Sequence, residues 1–185
     1  MSLITLKEAR AELAMANSYT RMGILIDLAE RGMRMSSWLR VLGEEWEVSD
    51  NVGDYFQELY EIFEWAPSPA LPMMNAAERR VFDALPETVT IYRGCGPHNQ
   101  TGFSWSLSRD VAADFPFMHR YEQAEPLLVT ATIDKEHILA YKDGREEQEI
   151  VVFGLDDLNV LSVEKLELDV NDVLTGVTPE EVIAA

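Results

Sequence analysis

The chain has 185 residues, 47% of them hydrophobic, which is enough to build one substantial core. A single cysteine, Cys95, excludes an internal disulfide and a cysteine-rich metal site, and no apolar run approaches the roughly 20 residues of a membrane-spanning helix. The formal net charge of −18 repels nucleic-acid phosphates, so we expect no nucleic-acid binding and favour a partner protein with a basic surface.

Helical patterns run through residues 1–87, which we predict to form a helical module. The motif Thr5-Leu6-Lys7-Glu8 predicts a capping box, in which a hydroxyl and a carboxylate bind the free N–H groups of a helix start. Apolar residues at helical spacing follow it, and Gly32 predicts the helix end. A second, short helix is predicted from Ser36 or Ser37.

Two more helices are predicted before the pattern changes. Aromatic and aliphatic residues recur at helical spacing over residues 55–63, which indicates a strongly amphipathic helix that ends before Pro67. The motif Asn75-Ala76-Ala77-Glu78 resembles the first capping box and predicts a helix that stops before Pro86.

From Thr88 the hydrophobic period becomes that of β-strands. Ser108 is a predicted cap for a short helix within this region. The sequence therefore predicts an α+β protein, in which a helical N-terminal module packs on a mixed β-sandwich. An acidic tail with a short helix is predicted over residues 169–185. The predicted strands are residues 88–93, 127–133, 138–141, 149–153 and 160–166.

Three short motifs occur in order in the strand region: Tyr92-Arg93-Gly94, Gly102-Phe103-Ser104-Trp105-Ser106 and Glu147-Gln148-Glu149. Arg93 can clamp a diphosphate by charge-assisted bidentate hydrogen bonds. Ser104 can hydrogen-bond a ribose or hold Glu149 in place. An ionised Glu149 can stabilise the positive charge that builds on a ribose as its bond to nicotinamide breaks. The motifs together predict NAD as the substrate.

Glu147 and Glu149 lie two positions apart, so in one strand they would share a face, roughly 6.5–7 Å from each other. One carboxylate could then hold the ribose while the other orients or deprotonates the incoming nucleophile. No metal is expected, because His98, His119 and His137 lack the spacing of metal ligands.

These motifs resemble those of the Arg-Ser-Glu class of mono-ADP-ribosyltransferases, which includes cholera-toxin-like enzymes. The family places an arginine on a first strand, a Ser-Thr-Ser-like motif on a second and a Glu-x-Glu motif on a later one. The likeness covers about residues 88–168 and implies an NAD-binding transferase core over that range. Tryptophan stands in the middle of the second motif, where threonine is usual.

The resemblance implies a role for each motif residue. Glu149 would be catalytic, supported by Ser104, and Glu147 would select the acceptor, arginine being favoured. The NAD-binding residues would come from the first two motifs: Arg93, Gly94, Ser104, Trp105 and Ser106. Family members of this size without a secretion signal are similar to phage or toxin-type effectors, so we expect a cytoplasmic effector that modifies host machinery.

Other interpretations remain open at the level of sequence. NAD hydrolysis would use the same residues with water as the acceptor. A non-enzymatic alternative is an acidic inhibitor that mimics DNA toward a basic partner. Arg93 could instead pair with an acidic neighbour, Trp105 could belong to the core, and residues 146–149 could form a solvated acidic face.

Overall fold

The computed structural model describes residues 3–118, 121–153 and 155–167. The helices are α1 (Leu6–Leu13), α2 (Arg21–Glu30), α3 (Met35–Glu45), α4 (Phe56–Phe63), α5 (Ala76–Ala84) and α6 (Arg109–Asp114). The strands are β1 (Thr88–Cys95), β2 (Ser104–Ser106), β3 (Leu127–Asp134), β4 (Ile138–Lys142), β5 (Glu149–Val152) and β6 (Asn159–Lys165). The fold is therefore α+β, as predicted. The acidic tail predicted over residues 169–185 lies outside the described residues.

Local capping signals place the helix starts. In α1 the Thr5 hydroxyl accepts from the Glu8 amide and the Glu8 carboxylate accepts from the Thr5 amide, which confirms the predicted capping box. The Asn75 box forms in the same way at α5. The predicted first helix is two helices, because the Asn17 side chain accepts the amides of the following turn and interrupts the helix. Gly32, with a positive φ of 82°, follows the end of α2 as predicted.

The six strands form one open sheet in the order β4-β5-β2-β1-β3-β6, and each described pairing is antiparallel. The prediction of a mixed β-sandwich was therefore wrong: the described strands form a single sheet, and their pairs are all antiparallel. Alternation of apolar and polar residues identifies a strand but carries no information about the direction of its neighbours.

The sheet has two halves of three strands each, β4-β5-β2 and β1-β3-β6. In the described ladder one residue pair, Tyr92 with Ser106, joins the halves, whereas eight pairs join β1 to β3. We call this narrow join the seam. The second motif on β2 pairs with the first motif on β1 across the seam, and Glu149 of the third motif begins β5 on the other side of β2.

The helices pack on the sheet around a continuous apolar core. Phe56 of α4 stacks on Phe103 with ring centroids 4.7 Å apart, and the buried Phe63 meets the same ring edge-on at 5.5 Å. Phe103 directly precedes β2, so these contacts pack α4 of the helical module against the start of that strand. None of the helices in the described ranges is long and apolar enough to cross a membrane.

Candidate active site

A cleft of about 550 Å³ lies at the seam, between the sheet and the chain segment that follows α3. Its volume falls in the range of small-molecule binding sites. One wall carries Arg93, Ser104 and Glu149, and the other carries Trp46 and Glu47. The structure thus brings the three predicted motifs together in one cavity and adds a wall from the helical module.

Arg93 lies on β1 and is partly buried at the cleft. Its Nη1 donates to the Ser104 carbonyl oxygen at 2.6 Å, and its Nε donates to the Asn99 carbonyl oxygen at 3.1 Å. Within the described ranges no carboxylate forms an ion pair with Arg93, so the alternative of a paired structural arginine gains no support. Burial lowers the pKa of Arg93, and Glu149 opposes that effect. A guanidinium held by carbonyls keeps its charge available for an anionic ligand.

Two glycines make this arrangement possible. A Cβ at Gly102 would lie 2.9 Å from the Arg93 Nη2 atom, so glycine leaves the space that the guanidinium fills. A Cβ at Gly94 would lie 1.8 Å from the Ala112 carbonyl oxygen, so glycine lets α6 approach β1. Gly94, predicted as an NAD-binding residue, has a packing role that accounts for its presence.

The second motif occupies β2 and presents its residues to opposite faces. Ser104 and Ser106 lie on the face of β2 that Glu149 of β5 shares, because Ser106 is directly opposite Glu149 in the ladder. Trp105 alternates to the other face, where its indole is 3% exposed and donates to the Gly102 carbonyl oxygen. This burial agrees with the core interpretation of Trp105, which also lines the cleft, and its predicted role in binding NAD stays a prediction.

The two serines also differ from each other. Ser106 donates to the Glu147 carbonyl oxygen at 2.7 Å and accepts the Ser108 amide at 3.0 Å. Its hydroxyl is thus bonded to the local backbone, while Ser106 also lines the cleft, and its predicted role in binding NAD stays a prediction. The Ser104 hydroxyl has no such backbone partner in the described structure; it acts as a donor that lowers the pKa of the Glu149 carboxyl, and Ser104 lines the cleft.

Glu149 is the first residue of β5 and is 8% exposed. Its Oε1 atom accepts a 2.8 Å hydrogen bond from the indole Nε1 of Trp46. Burial raises the pKa of Glu149 above its ordinary value, hydrogen bonds from Trp46 and Ser104 lower it, and the nearby Glu147 and Glu47 raise it further. A desolvated carboxylate with two fixed donors is suited to stabilise a cation that forms beside it.

Glu147 does not share a strand with Glu149, so the predicted spacing of the two carboxylates on one strand face was wrong. Glu147 lies in the loop before β5, between Glu146 and Gln148, whose φ angles are 59° and 48°. One left-handed residue therefore stands on each side of Glu147, and the alternation of side chains along a strand does not apply there. Glu147 still lines the cleft, and it forms an ion pair with Arg145 Nε at 3.1 Å. Burial raises the pKa of Glu147, while Arg145 lowers it.

Sequence reasoning missed the contribution of the module to this cleft. Glu47 accepts the Gly144 amide at 2.6 Å through its side chain and a 2.5 Å bond from Arg145 through its backbone carbonyl. These contacts hold the loop that carries Glu147. Trp46 and Glu47 follow a helix with no motif of their own, and 103 residues separate Trp46 from Glu149, so no local signal marked them.

The described residues contain no group of three or more His, Cys, Asp or Glu side chains arranged to hold a metal ion. Comparison of the chain with family models, with curated proteins and with solved structures finds no match.

Proposed function

We propose that this protein is a mono-ADP-ribosyltransferase that transfers ADP-ribose from NAD to a protein side chain, with arginine as the favoured acceptor. The observation that carries the proposal is the convergence of Arg93, Ser104 and Glu149 in one cleft at the seam. The likeness between the motifs and those of Arg-Ser-Glu transferases adds to it, since the three motifs occupy β1, β2 and the start of β5.

Each group fits one part of the donor. Arg93, held by two carbonyl oxygens, supplies a cation for the diphosphate of NAD. Ser104 orients the Glu149 carboxylate, and the two together face the nicotinamide ribose in this proposal. No cation competes for Glu149 through an ion pair within the described ranges, so its charge is directed at the cleft.

In the proposed step the bond between ribose C1′ and the nicotinamide nitrogen breaks, and its electron pair leaves with neutral nicotinamide. Glu149 stabilises the oxocarbenium-like ribose electrostatically. A guanidino nitrogen of the acceptor then donates its lone pair to C1′ and loses a proton to a carboxylate, for which Glu147 is the candidate. The products are nicotinamide and the ADP-ribosylated protein.

The acidity of the chain supports a target with a basic surface. Residues 146–185 hold 11 Asp and Glu against one Lys or Arg, whereas residues 91–145 hold 7 against 6. A near-neutral region around the first two motifs suits an anionic co-substrate, while the acidic regions attract a basic partner. We place the enzyme in the cytoplasm as a phage or toxin-type effector on family analogy.

NAD hydrolysis is a second candidate, favoured by one specific observation. Arg145 already pairs with Glu147, so the carboxylate that would receive an acceptor arginine is engaged within the chain. Water could reach C1′ without displacing that pair. Hydrolysis would release free ADP-ribose and leave proteins unlabelled.

The test is incubation of the purified protein with NAD labelled in its adenylate part and a cell lysate. Wild type should label protein, and Glu149→Gln should reduce the labelling by about a hundredfold or more. Glu30→Gln, an exposed glutamate outside the cleft, serves as the control and should match wild type. Free ADP-ribose without labelled protein would select hydrolysis. If NAD stays unchanged, with neither labelled protein nor free ADP-ribose, the proposed enzymatic activity is refuted. The acidic inhibitor of a basic partner then becomes the favoured function.

A further inference from the structure

A residue of the helical module reaches into the proposed catalytic centre. Trp46 follows α3 directly, and its indole Nε1 donates to Glu149 Oε1 at 2.8 Å. Trp46 is 2% exposed and Glu149 is 8% exposed, so the bond is shielded from water. A charge-assisted hydrogen bond in such a place is stronger than one at the surface, because water does not compete for either partner.

We propose that Trp46 is a positioning residue for Glu149, which holds the carboxylate in its ionised form and aims its second oxygen into the cleft. This inference rests on the proposed function, in which Glu149 must carry a negative charge. It assigns a catalytic purpose to the helical module, because the strands alone would present Glu149 without one of its two donors.

The charged groups around Glu149 make this donor important. Burial and the two acidic neighbours, Glu147 in the loop before β5 and Glu47 after α3, all disfavour the ionised form of Glu149. Arg93 on β1 favours it by charge, and Trp46 and Ser104 favour it by hydrogen bonds. Removing the indole N–H therefore removes one of the groups that favour the ionised carboxylate, while burial and the two acidic neighbours still disfavour it.

The position of Trp46 is itself fixed from the side of the sheet. The side chain of the next residue, Glu47, accepts a hydrogen bond from the Gly144 amide, and the Glu47 carbonyl oxygen accepts one from the Arg145 guanidinium. Glu47 Oε2 also lies 3.8 Å from Lys142 Nζ, at the end of β4. These contacts hold the turn after α3 against the sheet, beside the bond from Trp46 to Glu149.

The chain offers a matched control in Trp38. Trp38 lies within α3, the helix that Trp46 follows; it is 1% exposed, and its Nε1 donates to the Leu25 carbonyl oxygen at 2.7 Å. Trp38→Phe removes a buried indole N–H of the same kind, but Trp38 does not line the cleft. Effects that Trp46→Phe shares with Trp38→Phe are effects of packing, and effects that it does not share belong to Glu149.

The experiment titrates Glu149 directly by NMR of protein labelled with ¹³C in its glutamate carboxyl groups, with Glu149→Gln to assign the resonance. Trp46→Phe should raise the pKa of Glu149 by about one unit, the effect of one hydrogen bond to a carboxylate, and Trp38→Phe should leave it unchanged. The acidic limb of the pH profile of kcat for NAD consumption should move upward by the same amount. An unshifted Glu149 titration in Trp46→Phe would overturn the proposal.

A second measurement needs no substitution at Trp46. In the wild-type protein the indole N–H resonance of Trp46 should shift with the titration of Glu149, and in Glu149→Gln that shift should vanish. An indole resonance that ignores pH in the wild type would overturn the proposal even if Trp46→Phe fails to fold. If the wild type consumes no NAD, the proposed function fails, while both NMR titrations still decide whether Trp46 controls Glu149.

Discussion

Replacing Lys142 by methionine tests the buried ion pair that links the helical module to the sheet. Lys142 Nζ lies 2.8 Å from Glu78 Oε1, and both side chains are 5% exposed. The ammonium group also donates to the Met73 carbonyl oxygen at 3.4 Å. Methionine keeps most of the apolar stem of lysine, so the change removes the charge and its hydrogen bonds with little loss of packing.

The expected loss follows from what remains around Glu78. Its Oε2 keeps the bond from the Asn75 amide at 2.7 Å, which belongs to the capping box of α5, but its Oε1 loses the cation. Breaking a buried ion pair on one side costs about 3–5 kcal/mol. Because half of the carboxylate stays bonded, we expect Lys142→Met to lower the free energy of unfolding by about 3 kcal/mol, near the lower end of that range. Adding Glu78→Gln removes the nearer of the two carboxylates that lose this cation, the other being Glu47, and should restore part of the loss.

Urea unfolding followed by far-UV circular dichroism measures the difference. Arg109→Met is the comparison, because Arg109 pairs with Glu164 at 2.9 Å while both side chains are nearly half exposed. An exposed pair contributes about 1 kcal/mol or less. If Lys142→Met costs no more than Arg109→Met, the argument that burial makes this pair indispensable is refuted.

Three further predictions concern the cleft and its walls. Gly94→Ala should lower the free energy of unfolding by about 3 kcal/mol or more in thermal denaturation, because the added Cβ would lie 1.8 Å from a carbonyl oxygen of α6. Glu149→Gln should unfold at higher urea than wild type at neutral pH, because burial raises the pKa of Glu149 and the ionised form weakens the folded state. Arg145→Gln should lower the KM for agmatine, a small guanidino acceptor, by about two- to fivefold, because it frees the Glu147 carboxylate from an ion pair.

Each of these has its own control. Gly53→Ala adds a Cβ with nothing within 4 Å and should be nearly neutral, so equal losses at both glycines would contradict the steric argument. The advantage of Glu149→Gln should be present above the folded pKa of Glu149 and should disappear below the unfolded glutamate value of about 4.3. An advantage that persists in acid would assign the effect to something other than ionisation. Glu147→Gln should raise the KM for agmatine, and a rise with Arg145→Gln would contradict the argument that this ion pair competes with the acceptor.

The features that sequence predicted well depend on residues a few positions apart. Thr5 and Asn75 begin helices through contacts that stay within one turn, and Arg93 lies on the alternating strand that Thr88 begins. Ser104 and Glu149 were identified from motifs, and their meeting in one cleft follows from the pairing of β2 with β5.

The features that sequence missed depend on distant contacts or on unusual backbone angles. Trp46 and Glu149 meet across 103 residues, a separation at which hydrophobic period carries no information. Glu146 and Gln148 adopt left-handed φ angles without being glycine, so nothing in the sequence signalled the turn that removes Glu147 from β5. The direction of strand pairing belongs to the same class, since it depends on how the whole sheet assembles.

The narrow seam gives Arg93 a mechanical role in addition to its charge. Arg93 belongs to one half of the sheet, and the Ser104 carbonyl oxygen that it binds at 2.6 Å belongs to the other half. The guanidinium therefore adds a side-chain hydrogen bond across the seam, where the described ladder has one residue pair. A ligand that draws the guanidinium away from that carbonyl would remove this bond across the join, so binding in the cleft should change amide hydrogen exchange along β1 and β2.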